Sequence, residues 1–215
     1  MASTVPAQPK IYHIVHVENV GRIAAEGWLM ADAKIASRSG VQGIGLPRIK
    51  RRRRELPVSC HRGLFVGDCV PFYFCPRSIM LFVIHCGNQP DLPYKGGQGP
   101  IVHLEADLYR AVRWANDDKF RWAFSLSNAG AQYAEFLADL DQLPKINWAA
   151  VAARDFTRAD VKEGKQAEFL VEAKFPWHLI ERIGVASKNI AEKLEKNLSQ
   201  AVNRPLIEIK RDWYY

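Results

Sequence analysis

Residues 11–17 read Ile-Tyr-His-Ile-Val-His-Val, a run of β-branched, aromatic and histidine side chains near the start of the chain. Such a run is typical of a buried strand. Asn19 predicts the N-cap of a short helix over residues 20–26, because asparagine is a favoured capping residue. Gly27 can end this helix. The folded core is therefore predicted to begin with a buried strand that passes directly into a helix.

The rest of the chain mixes both kinds of element without a regular strand–helix–strand alternation. Residues 31–69 carry little periodicity and are expected to form a long loop that is either functional or disordered. The mixture predicts the α+β class. Further strands are predicted over 70–75, 79–85, 101–104, 165–171 and 207–209, and further helices over 106–114, 127–140, 148–154 (with Asn147 as N-cap), 175–183 and 187–202.

Composition narrows the class of protein. The chain has 215 residues, 48% hydrophobic and 25% charged, which is ordinary for one folded domain and excludes a wholly disordered chain. We expect a disordered lead-in over residues 1–10 and a single domain over 11–215. The purely apolar run over 79–84 is too short to span a membrane, and no secretory signal precedes the domain.

The cysteines form no CxxC pair, so we expect neither zinc nor another metal. Without a secretory signal, the protein is expected to be cytoplasmic, with free thiols in a reducing compartment. This expectation applies to all four cysteines: Cys60, Cys69, Cys75 and Cys86.

The positive charge is concentrated in one segment. The net charge is +7, and residues 48–54 read Arg-Ile-Lys-Arg-Arg-Arg-Arg. Outside this basic run the positive and negative side chains are almost equal in number. A concentrated cationic element suits a polyanion such as nucleic acid, a dinucleotide pyrophosphate or an acidic lipid surface. The alternative is a solvated loop.

Two titratable side chains stand inside apolar strands. Glu168 lies between Ala167 and Phe169, and a glutamate is almost never fully buried unless it is paired. It therefore either faces solvent at an edge or lines a cleft. His13 and His16 face opposite sides of one strand and cannot jointly bind a metal. His13 is either a hydrogen-bonded core residue or a ligand-binding one.

Taken together and in order, six segments resemble the DarT family, the DNA ADP-ribosyltransferase toxins of bacterial DarT–DarG toxin–antitoxin pairs. Any one segment is weak evidence, but the ordered set covers most of the chain. The segments are IYHIVHVENVGRI (11–23), IKRRRRELPV (49–58), VGDCVPFYFCPRSIMLFVI (66–84), GGQGPIVHL (96–104), KQAEFLV (165–171) and FPWHLIERIGV (175–185).

The resemblance implies an ADP-ribosyltransferase-like fold, with a split, mixed β-sheet core and flanking helices. It implies that Glu168 is the catalytic glutamate and that the NAD site includes His13, Ile14 and Val15. The family usually has threonine in place of Val15, and its FSDG-like segment reads here Phe-Ser-Leu-Ser over 124–127. The catalytic arginine is expected among Arg51, Arg52 and Arg53, and the other cations, Arg48, Lys50 and Arg54, are expected to bind DNA.

The implied reaction transfers ADP-ribose from NAD to a base in single-stranded DNA, thymine by resemblance, and releases nicotinamide. The alternatives are an ADP-ribosyltransferase acting on guanine, RNA or protein, and a non-catalytic module that binds single-stranded nucleic acid. A DarG-like macrodomain antitoxin is the expected protein partner. We expect a monomer, with no metal and no membrane contact.

Overall fold

The computed structural model describes residues 4–36 and 38–215. The strands are β1 (Lys10–His16), β2 (Trp28–Met30), β3 (Cys69–Tyr73), β4 (Ile101–Asp107), β5 (Trp122–Asn128), β6 (Phe136–Leu137), β7 (Ala167–Glu172), β8 (Lys174–Pro176), β9 (Ile180–Val185) and β10 (Leu206–Ile209). The α-helices are α1 (Val17–Glu26), α2 (Asp32–Ile35), α3 (Pro47–Arg53), α4 (Ile79–Cys86), α5 (Leu108–Asp117), α6 (Trp148–Ala152), α7 (Ala159–Gly164) and α8 (Lys188–Asn197).

Eight strands form one mixed sheet in the order β10-β9-β4-β1-β3-β7-β5-β6. Only the β9–β10 pair is parallel among the pairings of the described residues. A second, two-stranded sheet pairs β2 with β8. Helices pack around the large sheet, so the predicted α+β class is confirmed.

The large sheet is split between its central strands. β1 pairs with β4 along its whole length, whereas it meets β3 at the single register pair Tyr12–Tyr73. Beyond that pair the two strands separate, and the His13 ring reaches across to the Pro71 carbonyl. The split opens a cleft in the middle of the sheet, where side chains from both halves can meet.

The first strand passes directly into α1, earlier than predicted. His16, not Asn19, is the N-cap, because its Nδ1 accepts a hydrogen bond from the Glu18 amide at 3.3 Å. Asn19 lies inside the helix and is buried. Gly27 ends α1 with a φ of 76°, in the left-handed region that favours glycine, as predicted.

The strand predicted over 79–85 is wrong, because these residues form α4. An apolar run of this length fits a buried strand and a buried helix equally well. Ser78 decides between them: its hydroxyl accepts a hydrogen bond from the Leu81 amide at 3.2 Å and so caps the helix. Gly87, with a φ of 62°, ends it.

Two predicted helices are also wrong. Over 127–140 the chain instead finishes β5, turns at Asn128, forms β6 and enters a 3₁₀ helix. Tyr133, in the middle of that predicted helix, is 91% exposed. Over 175–183 the chain forms β8, a 3₁₀ turn and β9. Pairing with β2 and β4 outweighs the local helical pattern there.

The remaining predicted elements are present with shifted ends, and Asn147 caps α6 as predicted. The 31–69 segment is not simply a loop, because it contains α2 and α3. The disordered lead-in stays a prediction, and residues 1–3 lie outside the described part of the chain. The strand β1 already includes Lys10, and the Pro9 carbonyl accepts a hydrogen bond from the Leu108 amide.

Candidate active site

The basic run folds into α3, which Pro47 opens at the position where proline suits a helix. A helix spreads consecutive side chains around its axis, so neighbouring arginines take different directions. The end of α3 packs closely against Gly67, where a Cβ would lie 2.9 Å from the Arg54 Cα. Glycine at this position lets α3 approach the start of β3.

Arg53 alone among the basic run reaches the centre of the sheet. Its guanidinium donates to both Glu168 carboxylate oxygens, at 3.0 and 2.8 Å. The Arg53 side chain is 15% exposed and that of Glu168 is 3% exposed. Burial lowers the pKa of Arg53, but the Glu168 charge and hydrogen bonds outweigh it and the pKa is raised. A buried, bidentate ion pair therefore joins α3 to β7, two segments that are far apart in sequence.

Glu168 is held rigidly because β7 lies between β3 and β5 in the sheet. Its amide donates to the Ser125 hydroxyl at 3.1 Å, and that hydroxyl donates to the Ser127 carbonyl at 2.6 Å. Tyr73 is its register partner on β3. Burial and the Glu168 charge raise the pKa of Tyr73, so its phenol stays protonated. Of the two interpretations of Glu168, the solvent-facing edge is wrong.

His13 sits at the split in the sheet. Its Nδ1 lies 2.7 Å from the Pro71 carbonyl, which can only accept, so Nδ1 carries the proton. Burial lowers the pKa of His13 to about 4 and leaves the ring neutral at pH 7. Nε2 is therefore an acceptor, able to receive a hydrogen bond from a hydroxyl or amide group.

A cleft opens at the split. Its walls come from β1, α1, the 41–46 segment, α3 and β3. The cations that line it are Arg22, Lys50 and Arg53, and the single carboxylate among its described lining residues is Asp32. Ile14 and Val15 also line it, beside His13. An open, mostly apolar cleft with cations on one wall suits a dinucleotide.

The other cations of the basic run divide into two groups. Arg48 pairs with Asp91 at 2.8 Å, and Asp32 accepts from both Lys50 and Arg54, the latter at 3.4 Å. Arg51 and Arg52 are exposed, and neither side chain forms a hydrogen bond or ion pair with any residue in the described ranges. The three cations expected to bind DNA are thus engaged by carboxylates, and the two free ones, Arg51 and Arg52, were candidates for the catalytic arginine.

The polar cleft residues that sequence reasoning missed include Asn19, Asp32 and Tyr73. Tyr73 follows from the alternation of β3 only once its register with Glu168 is known. Asp32 sits on a four-residue helix with no periodic signal. Asn19 was noticed, but as a helix cap.

Residues 4–36 and 38–215 contain neither a metal-binding cluster nor a membrane-spanning helix. Within these ranges no group of three or more histidine, cysteine, aspartate or glutamate side chains could hold a metal ion. No helix in the same ranges is long and apolar enough to cross a bilayer. All four cysteines are free thiols.

Comparison with known proteins places this geometry in a family. The profile of DarT, described as an ssDNA thymidine ADP-ribosyltransferase, matches residues 12–215. A DNA ADP-ribosyl transferase of Thermus sp. (strain 2.9) is 37% identical, with 100% of both chains covered. Another from Escherichia coli O127:H6 (strain E2348/69 / EPEC) is 30% identical over 100% of this chain and 97% of the relative.

Comparison with solved structures supports the same family. Thermus sp. 2.9 DarT in complex with ADP-ribosylated ssDNA matches with a TM-score of 0.90 at 35% identity, covering 100% of both chains. The same protein in complex with NAD⁺ matches with a TM-score of 0.82 at 34% identity, over 99% of this chain and 100% of that one. The predicted ADP-ribosyltransferase-like fold is confirmed. The chain belongs to the DarT family of DNA ADP-ribosyltransferases, as its ordered sequence segments predicted.

Proposed function

We propose that this protein transfers ADP-ribose from NAD⁺ to a thymine base in single-stranded DNA, with Glu168 and Arg53 at the reacting centre. The observation that carries the site assignment is the buried Arg53–Glu168 pair beside a cation-lined cleft. The family's described activity and the NAD⁺ and DNA complexes of its Thermus relative support NAD⁺ and DNA as substrates. A module that only binds nucleic acid would not need this buried pair.

The first half of the reaction breaks the bond between nicotinamide and the ribose C1′. Nicotinamide leaves with the bonding electrons, and positive charge develops on the ribose as in glycoside cleavage. A fixed carboxylate stabilises this charge better than water does, because it need not reorganise. Glu168 is the carboxylate in position, and it can also hold the ribose 2′-hydroxyl.

Arg53 must shift for this to happen. It occupies both oxygens of Glu168, which is 3% exposed, so a ribose hydroxyl can reach the carboxylate only when Arg53 releases one of them. A released guanidinium nitrogen then faces the cleft. There it can stabilise the developing anion on the thymine ring nitrogen, since arginine itself stays charged.

The second half forms the bond from the thymine ring nitrogen to C1′, and the proton that this nitrogen loses passes to solvent. A paired base hides this atom, and extruding a base from a duplex costs a few kcal/mol, which favours a single-stranded substrate. Arg51 and Arg52 are the cations best placed to bind the DNA phosphates, because they are exposed and make no ion pair among the described residues. Arg48, Lys50 and Arg54 would first have to leave their carboxylates.

The cofactor site is proposed around His13, Ile14 and Val15. The neutral His13 ring offers Nε2 as an acceptor for a ribose hydroxyl or the carboxamide of NAD⁺. Lys50 and Arg22 supply positive charge for the pyrophosphate.

Mass spectrometry of oligonucleotides tests the function. The protein is incubated with NAD⁺ and single strands that contain or lack thymine, with matched RNA and a protein acceptor alongside. One added ADP-ribose on thymine-containing DNA is expected. Modification of guanine, RNA or protein instead would overturn the proposed acceptor, and NAD⁺ left intact in every sample would overturn the proposed reaction.

The biological setting is proposed from the family resemblance. It comprises a toxin role, a DarG-like macrodomain antitoxin as partner, a monomeric state and the cytoplasm. A solved Thermosipho africanus DarTG chain in complex with ADP-ribose shares the fold, with a TM-score of 0.74 at 18% identity over 96% of this chain and 51% of that one. Coexpression with a DarG-like macrodomain should relieve any growth arrest that this protein causes.

A further inference from the structure

One wall of the cleft has no regular secondary structure. Residues 41–46 all line the cleft, and they run from Gly40 to the N-cap of α3 without a helix or strand. Glycines at 40, 43 and 45 give this segment more backbone freedom than an ordinary loop has. Such a segment needs an anchor if it is to form a pocket wall before a ligand arrives.

The anchor is a buried side chain on α1. The Asn19 amide nitrogen donates to the Gln42 carbonyl at 2.9 Å, and its oxygen accepts from the Gln42 amide at 3.0 Å. One side chain thus pairs with both backbone groups of one loop residue. Asn19 is 4% exposed, whereas the Gln42 side chain points to solvent. The contact depends on the Gln42 backbone and not on its side chain.

We propose that Asn19 is a positioning residue, which fixes the 41–46 segment as the preformed wall of the NAD⁺ cleft. A wall ordered in advance spares the ligand the entropy cost of ordering it, so affinity for NAD⁺ depends on Asn19. This inference rests on the proposed use of NAD⁺.

The effect should fall on binding and spare turnover. α3 follows the segment directly, but it is held independently by Asp32 and by the Arg53–Glu168 pair. Loss of the Asn19 contact therefore loosens the wall while α3 keeps Arg53 in place. In kinetic terms, KM for NAD⁺ rises and kcat at saturating NAD⁺ changes little.

Asn19 also lines the cleft, so the experiment must separate an anchor from a direct ligand contact. The Gln42→Pro variant removes the amide that donates to Asn19 and leaves the Asn19 side chain intact. Asn19→Ala, Gln42→Pro and the double variant form a cycle. Arg38→Gln is the matched control, because Arg38 holds the same loop to Glu26, at 3.0 Å, in an exposed ion pair.

Affinity is measured with a non-cleavable NAD⁺ analogue, and hydrogen exchange is followed in peptides that cover residues 38–46. We expect Asn19→Ala and Gln42→Pro each to weaken binding roughly tenfold, as for the loss of one or two buried hydrogen bonds. The double variant should be no weaker than Asn19→Ala. Exchange of the Gln42 amide should accelerate in Asn19→Ala, and Arg38→Gln should match the wild type in affinity.

Additive losses in the double variant would overturn the proposal and make Asn19 a ligand contact. Unchanged affinity in both single variants would overturn it as well. If Asn19→Ala fails to fold, the affinity of Gln42→Pro alone tests the proposal. This variant alters an exposed loop residue and should leave the fold intact. A wild-type chain that does not bind the analogue would instead count against the proposed function.

Discussion

Arg53 and its neighbours Arg51 and Arg52 are adjacent in sequence and identical in chemistry, yet they occupy opposite environments. Arg53 is 15% exposed and forms a two-pronged pair with a carboxylate that is 3% exposed. Arg51 and Arg52 are exposed on the same helix. A charge held in a low-dielectric site interacts far more strongly than one screened by water. Burial, rather than residue type, therefore separates the proposed reacting centre from the surface that we propose binds DNA.

The largest loss of activity is expected when the buried Arg53–Glu168 pair is altered. Glu168→Gln keeps the size of the side chain but removes the charge that we propose stabilises the ribosyl cation. ADP-ribose transfer should fall about 10²–10³-fold. The melting temperature should also fall, because Arg53 loses its partner inside the protein. Oligonucleotide mass spectrometry measures the first effect and calorimetry the second; near wild-type transfer would remove Glu168 from the reacting centre.

Arg53→Lys tests whether the geometry of the guanidinium matters beyond its charge. An ammonium cannot span both Glu168 oxygens with a planar fork, so we expect a loss of turnover of about 10² even with NAD⁺ and DNA saturating. Arg52→Lys is the matched control on the same helix and should keep almost all activity. Equal activity of the two lysine variants would erase the distinction between the buried and exposed arginines.

Smaller losses are expected when the exposed arginines are replaced. Arg51→Ala and Arg52→Ala should each weaken binding of single-stranded DNA and flatten the slope of log affinity against log salt by about 0.7. Single-turnover transfer at saturating DNA should stay close to wild type. Fluorescence anisotropy at several salt concentrations provides the slope. A large loss of turnover that extra DNA does not restore would place either residue at the reacting centre.

The smallest effect concerns stability against pH. Burial lowers the pKa of His13 and of His103 to about 4, below the value of about 6.5 in an unfolded chain. The unfolded state therefore binds more protons between these values, and the free energy of unfolding should decrease as pH falls from about 6.5 toward 4. Denaturant titrations at pH 7, 6 and 5 measure this slope.

Histidine variants identify which groups cause this pH dependence of stability. His103→Asn should flatten the slope of unfolding free energy against pH, whereas replacement of the exposed His178 should leave it unchanged. An unaltered slope in His103→Asn would mean that other groups set the pH dependence.

Much could be predicted from the sequence where a signal is local. The strand at 11–17, the caps at Asn147 and Gly27 and the concentration of charge in 48–54 all depend on neighbouring residues. Glu168 stood out because a carboxylate inside an apolar strand needs a partner. The ordered segments identified the family, and with it the fold and the reaction class.

The tertiary structure alone decided which arginine is that partner. Four consecutive arginines are equivalent in sequence, and only the packing of α3 against Gly67 and β7 directs Arg53 inward. Likewise, the run over 79–84 satisfies a strand and a helix equally, and the Ser78 cap and its surroundings resolve it. Asn19 gives the same lesson, because its partner Gln42 lies 23 positions away. Contacts between distant segments depend on how elements pack, and no local pattern encodes them.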